Sequence, residues 1–488
     1  MKDAEDRDWA EMPPEELRQW GHQFVNWVVD YFAHPEQYPV LAHVEPGDIR
    51  SKLPTSPPEH GEPMELIFND FQQQILPGIT HWNHPSFFAY FSITGSGPGV
   101  LGELLISALN VNAMLWRTSP AATELEEAVL DWLRQLLGLP EGLFGIVFDS
   151  ASVSSLCAMA AAREAVPSLD VRERGLSGRP DIPRLRLYSS EQSHSSIDKG
   201  AILLGIGIEG IRKIPTDKEF RMDPMALDRA IREDVAAGWK PFCVAATVGT
   251  TSTTSVDPVP AIADICEGHG IWLHVDAAYG GSAAIVPEMR WVLEGCDRAD
   301  SLVVDPHKWL FTPIDFSACY TKRPEILKQA FTLVPEYLKT AEGESVTNFM
   351  DYGIQLGRRF RALKLWMILR YFGAAGLADR IRQHIRLARD FASWIDADRN
   401  YKRLAPARFS TVCFRACPEG VAEEELDELN QKLLDAVNNT GKVFLSHTRL
   451  EGRFSLRMAI GNLRTTEEHV KAAWDLLKQE LEKLKPVA

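Results

Sequence analysis

SLVVDPHKWLF, residues 301–311, places a lysine between two apolar runs. Ser301 to Val304 are small or apolar and are typical of the end of a buried parallel strand, and the apolar run resumes at Trp309. Lysine is among the residues that are hardest to bury, because its ammonium group loses hydration. The stretch therefore raises the question of what Lys308 does at the end of this strand.

The composition is that of an ordinary globular protein, since 45% of the 488 residues are hydrophobic and 24% are charged. This length allows two or three domains with at least one large core. Lysine and arginine number 52 against 67 for aspartate and glutamate, which gives a net charge of −15. This charge would repel a nucleic-acid backbone, so we expect no nucleic-acid partner.

The amino-terminal stretch MKDAEDRDWAEMPPEE is acidic and contains no apolar segment of the kind found in signal peptides. No part of the chain approaches the run of about 18 apolar residues that a membrane helix needs. We therefore expect a cytoplasmic protein with no membrane partner. The seven cysteines are dispersed and lack the paired spacing of a zinc site, so we expect reduced cysteines in the core and no metal.

Residues 1–96 are predicted to form an arm. Apolar and aromatic residues recur at helical spacing from Leu17 to Tyr31, and prolines then interrupt the chain to about Pro85. Such a region has little core of its own. It packs on another subunit or on its own chain, and the sequence leaves both open.

Residues 97–375 alternate helix-length segments with short apolar strands, predicted over 145–148, 186–188, 242–247, 271–275, 301–304 and 317–320. This alternation indicates a mainly parallel sheet covered on both faces. A capping box from Thr123 to Glu126 predicts where one helix begins. Residues 376–488 form a smaller α+β domain, with strands predicted over 411–415, 443–446 and 454–460 and a final helix over 466–484.

Polar residues follow the carboxyl ends of several predicted strands, which is where α/β sheets bind their ligands. Asp276, Thr251, His307 and Lys308 all hold such positions. Asp276 and Lys308 are separated by 32 residues, about one strand-helix-strand unit. We therefore expect the two side chains to face the same crevice.

The stretch DSASVSS, residues 149–155, leads from a predicted strand into a helix. Free N–H groups at a helix N-terminus favour a phosphate, although small hydroxylic residues also serve as ordinary N-caps. A phosphate cradle, a carboxylate and a lysine on neighbouring strand ends fit pyridoxal 5′-phosphate better than any other cofactor.

Eight ordered motifs resemble those of the group II pyridoxal-phosphate decarboxylases, specifically the aromatic L-amino acid decarboxylases. They are HPSFFAYF, WRTSPAATELE, YSSEQSHSSIDKG, VGTTSTTSVD, IWLHVDAAYGG, DPHKWL, LVPEYLK and LGRRFRALKLW. The resemblance implies a fold-type I, aspartate aminotransferase-like enzyme of the α/β class. It would have a large, mainly parallel seven-stranded sheet domain, a small C-terminal α+β domain and an N-terminal helical arm.

The resemblance also implies roles for residues around the cofactor. Lys308 would carry pyridoxal phosphate covalently, which answers the question raised above. Asp276 would keep the ring nitrogen protonated, and His194 would stack over the ring. Further cofactor contacts are implied for Ala151, Ser152, Thr251, Ala278, Asp305 and His307.

A decarboxylase must place a proton on the α-carbon of its substrate rather than on the cofactor. Tyr337 matches the family's mobile-loop tyrosine that serves as this acid, in a segment over about 329–346 without clear periodicity. Related aromatic acetaldehyde synthases differ at this tyrosine or at the stacking histidine. Because Tyr337 and His194 are both present, the sequence favours simple decarboxylation, with an aldehyde synthase as an alternative.

Two further alternatives have distinct requirements. An aminotransferase of the same fold would need an arginine that clamps the α-carboxylate, for which Arg457 is a candidate, although we expect Arg457 to pair with an acidic neighbour. A pyridoxal-binding regulatory protein would lack an acid such as Tyr337.

An aromatic substrate needs flat apolar walls, whereas an acidic one needs a cation. Trp82, Tyr90, Phe91 and Ile93 offer such walls. In the family these walls come partly from the neighbouring subunit, which implies a homodimer with the active site at its interface and an arm (1–96) that packs on the partner subunit.

Gly357 lies where relatives carry glycine or serine and leaves room for bicyclic or catechol rings, which favours tryptophan or DOPA. Asn112 and Met114 replace an apolar and an aromatic residue of the animal members, and Ile93 replaces a threonine. Asp305 replaces an asparagine near the phosphate. A carboxylate there should repel a phosphate dianion unless it turns away or is protonated.

Overall fold

The computed structural model describes residues 11–167, 169–333 and 345–485. Within these ranges the α-helices are α1 (Pro14–Ala33), α2 (Asp48–Lys52), α3 (Met64–Asp70), α4 (Gly97–Leu109), α5 (Pro120–Leu137), α6 (Ala151–Glu164), α7 (Val171–Arg174), α8 (Ser195–Leu203), α9 (Pro224–Ala236), α10 (Val259–His269), α11 (Pro306–Trp309), α12 (Pro324–Phe331), α13 (Ala362–Ala397), α14 (Leu426–Asn438) and α15 (Glu467–Leu484). None of these helices is long and apolar enough to cross a bilayer.

Seven strands form the larger sheet: β1 (Phe144–Phe148), β2 (Leu185–Ser190), β3 (Ile211–Ile214), β4 (Lys240–Thr247), β5 (Trp272–Asp276), β6 (Ser301–Val304) and β7 (Ser317–Thr321). Their order is β1-β7-β6-β5-β4-β2-β3, and β7 runs antiparallel to both of its neighbours. The predicted mainly parallel seven-stranded sheet is confirmed. The edge strand β3 is absent from the strands predicted above, because Arg212 and Lys213 interrupt its apolar pattern.

Successive residues of β4 face opposite layers of helices. Val244 and Ala246 pack in the core formed with α5, α9, α10 and α13, whereas Cys243 and Ala245 pack in the core formed with α6, α8 and α12. All four side chains are fully buried. A strand covered on both faces consists of a continuous apolar run, which is why the sequence located β4 closely.

A second, antiparallel sheet consists of β8 (Tyr401–Arg403), β9 (Thr411–Ala416), β10 (Ser446–Leu450) and β11 (Arg453–Ala459), in the order β10-β11-β9-β8. It shares a core with α14, α15 and the last part of α13. The strand predicted over 443–446 is wrong except at its last residue, because β10 begins only at Ser446. Phe444 within it forms an isolated parallel bridge with Phe87 instead.

The helix α13 connects the two cores. Its backbone leaves the helical conformation at Gly373 (φ 65°), which glycine adopts without the steric cost of a Cβ atom. Side chains from Leu387 onward belong to the core of the smaller sheet. The division into an arm (1–96), a large domain (97–375) and a small domain (376–488) stays a prediction, and its second boundary falls inside α13.

The helix α5 begins earlier than predicted. Ser119 caps it by accepting a hydrogen bond from the Ala122 backbone N–H (3.2 Å), so the capping box ending at Glu126 is wrong. Glu126 is instead buried and accepts hydrogen bonds from the Val147 backbone N–H (2.9 Å) and from Arg358 (2.6 Å). Glu126 therefore connects α5 to β1 through hydrogen bonds and does not belong to a helix cap.

Two helices leave apolar faces uncovered in the single chain. No residue of α1 is buried, although Trp20 and Phe24 contact Phe68 of α3 at ring-centroid distances of 6.1 and 5.0 Å. On α4 the exposed apolar side chains are Leu101, Leu104, Leu105 and Leu109. Apolar faces of this extent commonly belong to contacts with another protein chain.

Candidate active site

A cavity of about 410 Å³ opens where strand ends of the larger sheet meet the segment over 82–93 and the strands β10 and β11. Its lining residues are Trp82, Tyr90, Phe91, Ile93, Ser150, Ala151, Ser152, His194, Thr247, Gly249, Thr251, Ser252, Asp276, Ala278, Tyr279, Asp305, His307, Lys308, Ser446, His447, Thr448 and Arg457. The cavity lies at the carboxyl ends of β1, β2, β4, β5 and β6, as expected for an α/β sheet.

Lys308 lies on the single helical turn α11, directly after β6. Its side chain is 24% exposed, and its Nζ is 3.1 Å from Oδ2 of Asp305. The Lys308 backbone N–H also donates to the Asp305 carbonyl oxygen (2.9 Å), which closes the turn. The ammonium group is thus held at the cavity wall by a carboxylate from the same turn.

A column of stacked rings packs against this turn. The Trp309 ring lies parallel to that of Tyr279 (4.7 Å between centroids, 7° between planes), and Tyr279 stacks on Phe91 at the cavity wall (3.9 Å). Trp309 Nε1 donates to His384 Nδ1 (3.0 Å), and His384 Nε2 lies 3.0 Å from the Asn462 carbonyl oxygen. Burial lowers the pKa of His384 to about 4, so the ring is neutral at pH 7.

Asp276 and His194 approach the cavity from the ends of β5 and β2, which lie on either side of β4. Asp276 ends β5, is 6% exposed and accepts a hydrogen bond from the Ala278 backbone N–H (3.1 Å). His194 caps α8, because its Nδ1 accepts the Ser196 backbone N–H (3.2 Å). Partial burial and the charge of Lys308 lower the pKa of His194, which favours a neutral, flat imidazole facing the cavity.

The amino terminus of α6 forms another part of the wall. The Ser150 hydroxyl donates to Asp149 (2.9 Å) and makes no capping hydrogen bond, so no side chain of the described residues covers the first N–H groups of this 14-residue helix. Side chains one turn later fix the helix to the sheet: Ser154 contacts Ser317 (2.8 Å), and Ser155 contacts His274 (3.0 Å).

Arg457 on β11 corrects an expectation from the sequence. It has no acidic partner among the described residues, because its Nε donates to the Ser252 carbonyl oxygen (3.0 Å) and its Nη1 donates to the Tyr90 carbonyl oxygen. Its Nη2 is buried without a hydrogen-bond partner in the described chain. The guanidinium carbon lies 4.5 Å from the centroid of the Phe91 ring. Arg457 therefore lines the cavity and keeps one buried donor without a partner in the described chain.

Most of the site residues predicted from the sequence come together in this cavity. These are Trp82, Tyr90, Phe91, Ile93, Ala151, Ser152, His194, Thr251, Asp276, Ala278, Asp305, His307 and Lys308. Tyr337 lies outside the described residues.

Three predicted substrate residues do not line the cavity of the described chain. Asn112, Met114 and Gly357 form a separate cluster, in which Asn112 Oδ1 accepts the Arg358 backbone N–H (2.9 Å) and Asn112 Nδ2 lies 3.5 Å from Met114 Sδ. A Cβ atom on Gly357 would lie 3.8 Å from Asn112 Nδ2. Asn112 and Met114 come shortly after α4 in the chain, and α4 is the helix whose apolar face is uncovered.

The sequence missed the lining residues that come from the smaller sheet. Ser446, His447 and Thr448 belong to β10, and the Thr448 hydroxyl contacts that of Ser252 (2.8 Å) across the seam between the two sheets. A prediction based on strand ends of one parallel sheet has no signal for them, because β10 belongs to a different sheet.

These residues fit pyridoxal 5′-phosphate. The cavity combines an amine, a buried carboxylate, a flat imidazole and an uncapped helix amino terminus, which match its aldehyde, ring nitrogen, ring face and phosphate. Among the described residues no three His, Cys, Asp or Glu side chains converge as metal ligands. All seven cysteines are free and six are buried, as the sequence predicts.

A family model described as the pyridoxal-dependent decarboxylase conserved domain matches residues 46–417. The chain is 41% identical to an aromatic-L-amino-acid decarboxylase of Catharanthus roseus, with 97% of this chain and 95% of that protein covered. It is 42% identical to a phenylacetaldehyde synthase of Arabidopsis thaliana, with 96% of each covered. The crystal structure of Oryza sativa TDC with PLP and tryptamine has a TM-score of 0.94 and 38% identity, covering 98% of this chain and 100% of that chain.

The lowered pKa of His384 predicts a pH dependence of stability. The unfolded chain binds a proton at this histidine below pH 6.5, whereas the folded chain does so only near pH 4, so stability falls as the pH drops between these values. In His384→Gln this fall should be shallower by up to about 1.4 kcal/mol per pH unit. Guanidinium unfolding between pH 4.5 and 7 measures the slope, and the exposed His60→Gln variant is the control. Equal slopes in all three proteins would contradict the assignment.

Proposed function

The chain belongs to the pyridoxal-dependent decarboxylase family, and from this membership we propose that it converts aromatic L-amino acids to arylalkylamines and CO₂. The observation that carries the proposal is the convergence of Lys308, Asp276 and His194 on one cavity with aromatic walls. The proposed substrates are tryptophan, DOPA, tyrosine and phenylalanine. Location in the cytoplasm stays a prediction.

Several residues would hold the cofactor. When bound, pyridoxal 5′-phosphate supplies a ring that accepts the electron pair left on the substrate's α-carbon as CO₂ departs. Lys308 would hold it covalently through Nζ, and Asp276 would keep a proton on its ring nitrogen. His194 would lie over the ring, and the first N–H groups of α6 would bind the phosphate. We propose further contacts from Ala151, Ser152, Thr251, Ala278, Asp305 and His307.

The walls of the cavity favour an aromatic side chain. Trp82 and Tyr90 stack with 18° between their planes, and Phe91 lies flat on Tyr279. The cationic side chains that line the cavity are Lys308 and Arg457. With Lys308 committed to the cofactor, Arg457 is the cation that remains among the described lining residues, and we propose that it binds the α-carboxylate. An acidic side chain would then lack a partner.

Arg457 is suited to this task, because its Nη2 lacks a partner in the described chain and a guanidinium group binds carboxylates in a fixed geometry. A decarboxylase must hold the carboxylate out of the plane of the cofactor ring, so that the breaking bond overlaps with the ring's π system. An aminotransferase would hold it in the plane and produce a keto acid. The products therefore distinguish the two activities.

The first test is loss of the cofactor linkage in Lys308→Ala. The purified protein should show visible absorption with pyridoxal phosphate and release CO₂ and amine from a panel of tryptophan, DOPA, tyrosine and phenylalanine. Lys308→Ala should lose both the absorption and the activity, whereas Lys199→Ala, an exposed lysine on α8, should retain them. Borohydride reduction that fixed the cofactor to another side chain would refute the proposal.

We propose that Tyr337 donates the proton that reaches the α-carbon after CO₂ leaves. In Tyr337→Phe, amine formation should fall by about 10²-fold or more, which is the usual size of a general-acid contribution, and the share of aldehyde should rise. Quantifying amine and aldehyde from one substrate measures both changes. Tyr371→Phe, an exposed tyrosine on α13, is the matched control. An unchanged amine yield would remove Tyr337 from the mechanism, and aldehyde as the main product of the unmodified protein would favour the synthase.

We propose that the active form is a homodimer. The apolar face of α4 needs a cover, and the cluster of Asn112, Met114 and Gly357 lies near that face but away from the chain's own cavity. Ile354 and Leu356, beside Gly357, are also exposed. In a dimer in which a second subunit covers this surface, the cluster of the first subunit would lie at the cavity of the second. The arrangement suits a distal substrate wall supplied by the second subunit.

Mixed dimers test this arrangement. Lys308→Ala and Gly357→Trp should each be inactive alone, the second because a bulky side chain would fill the distal pocket. If Gly357 serves the partner's cavity, a mixed dimer contains one site with both Lys308 and Gly357 intact and regains up to half of the activity per dimer. If Gly357 acted within its own chain, every site of the mixed dimer would be defective, and no activity would return.

A further inference from the structure

Asp305 holds an unusual position in the cavity. The residue is 1% exposed, and its Oδ2 lies 3.1 Å from Lys308 Nζ and 3.6 Å from His307 Nε2. Its Oδ1 is buried and has no hydrogen-bond partner among the described residues. The carboxylate has therefore not turned away from the cavity, and its partner there is the lysine that the proposed function assigns to the cofactor.

Among the described residues, the other charged or histidine side chains that line the cavity are Asp276, Arg457, His194, His307 and His447. Asp276 contributes a second carboxylate and Arg457 a second cation. Burial lowers the pKa of His307 and of His194, so both imidazoles are neutral near pH 7. Without a cofactor, the two carboxylates are thus balanced by two cations. A phosphate monoester adds between one and two negative charges to this cavity.

Cofactor attachment removes the partner of Asp305. When Lys308 Nζ bonds to the cofactor aldehyde, water leaves, and the ammonium group gives up one proton where the new linkage is neutral. The Asp305 carboxylate is then left buried without its cationic partner in a cavity that has gained the charge of a phosphate, an arrangement that burial and like charge both oppose. His307 cannot take the compensating proton easily, because its Nδ1 already accepts the Phe316 backbone N–H (3.1 Å). The unpartnered Oδ1 of Asp305 is the open position for a proton.

We propose that, when the cofactor binds, Asp305 takes up the proton that the Lys308 ammonium group gives up as it forms its linkage, and that the neutral carboxyl group then donates a hydrogen bond to the anionic cofactor. The inference rests on the proposed function for the identity of that anion. It makes cofactor loading dependent on pH at this position, which an asparagine side chain would not do.

Calorimetry of cofactor binding measures the proton directly. Cofactor-free protein is titrated with pyridoxal phosphate at one pH in two buffers of different ionisation enthalpy, and the difference in heat gives the number of protons taken up. The unmodified protein should take up close to one proton more than Asp305→Asn. Equal proton uptake in the two proteins would overturn the proposal.

Asp315→Asn is the matched control. Asp315 follows α11 and is held by Arg361 (2.9 Å), but it does not line the cavity, so this variant should take up as many protons as the unmodified protein. Between pH 7 and 8.5 the cofactor affinity of the unmodified protein should weaken by up to about tenfold more per pH unit than that of Asp305→Asn. Parallel pH profiles would count against Asp305.

An infrared measurement needs no variant. Adding pyridoxal phosphate to the unmodified protein should produce the carbonyl band of a neutral carboxyl group, which shifts in D₂O, and the absence of such a band would refute proton uptake at Asp305. Failure of the cofactor to give visible absorption would instead defeat the proposed function together with this inference. Normal absorption with equal proton uptake in the unmodified protein and in Asp305→Asn would defeat the inference alone.

Discussion

An ammonium group at the end of a buried strand needs a counter-charge and a rigid support, and this structure provides both for Lys308. Asp305 supplies the carboxylate, 3.1 Å from Nζ. Trp309, fixed between Tyr279 and His384, supplies the support. Because Lys308 and Trp309 are neighbours on one helical turn, the aromatic column fixes the position of the Lys308 amine. The rest of the cavity is arranged around that point.

The cavity depends on the seam between two sheets that are far apart in the chain. Ser252, in the loop after β4, contacts Thr448 of β10 through its hydroxyl and Arg457 of β11 through its carbonyl oxygen. His384 connects the support of Lys308 to the Asn462 backbone on the far side of the seam. A shift of one sheet against the other would therefore change the position of the amine and of the guanidinium group together.

The charge balance of the cavity explains why the protonation state of Asp305 matters. The sequence raised the conflict between this carboxylate and a phosphate and left two solutions, a side chain turned away or a protonated one. The buried Oδ1 without a partner and the Oδ2 beside Lys308 exclude the first solution for the described chain. Protonation then reconciles a buried carboxylate with an anionic ligand, since the neutral acid can donate a hydrogen bond.

The parallel sheet could be predicted from the sequence, because β4 and its neighbours are buried on both faces and leave continuous apolar runs. The sequence also predicted that Asp276 and Lys308 face the same crevice, because residues that follow parallel strands meet at one edge of the sheet. The start of α5 is set by the local cap at Ser119, which the Thr123–Glu126 pattern obscured, and β3 was missed because Arg212 and Lys213 interrupt its apolar pattern. The conformation of the stretch before β10 was decided by the bridge from Phe444 to the distant Phe87, and local pattern carries no record of that contact. The same holds for Arg457, whose partners are two backbone carbonyls, and for the separation of Asn112, Met114 and Gly357 from the cavity. Only the tertiary structure leaves Nη2 of this strand arginine without a partner among the described residues, because this depends on where two sheets meet and not on the residues beside it in the sequence.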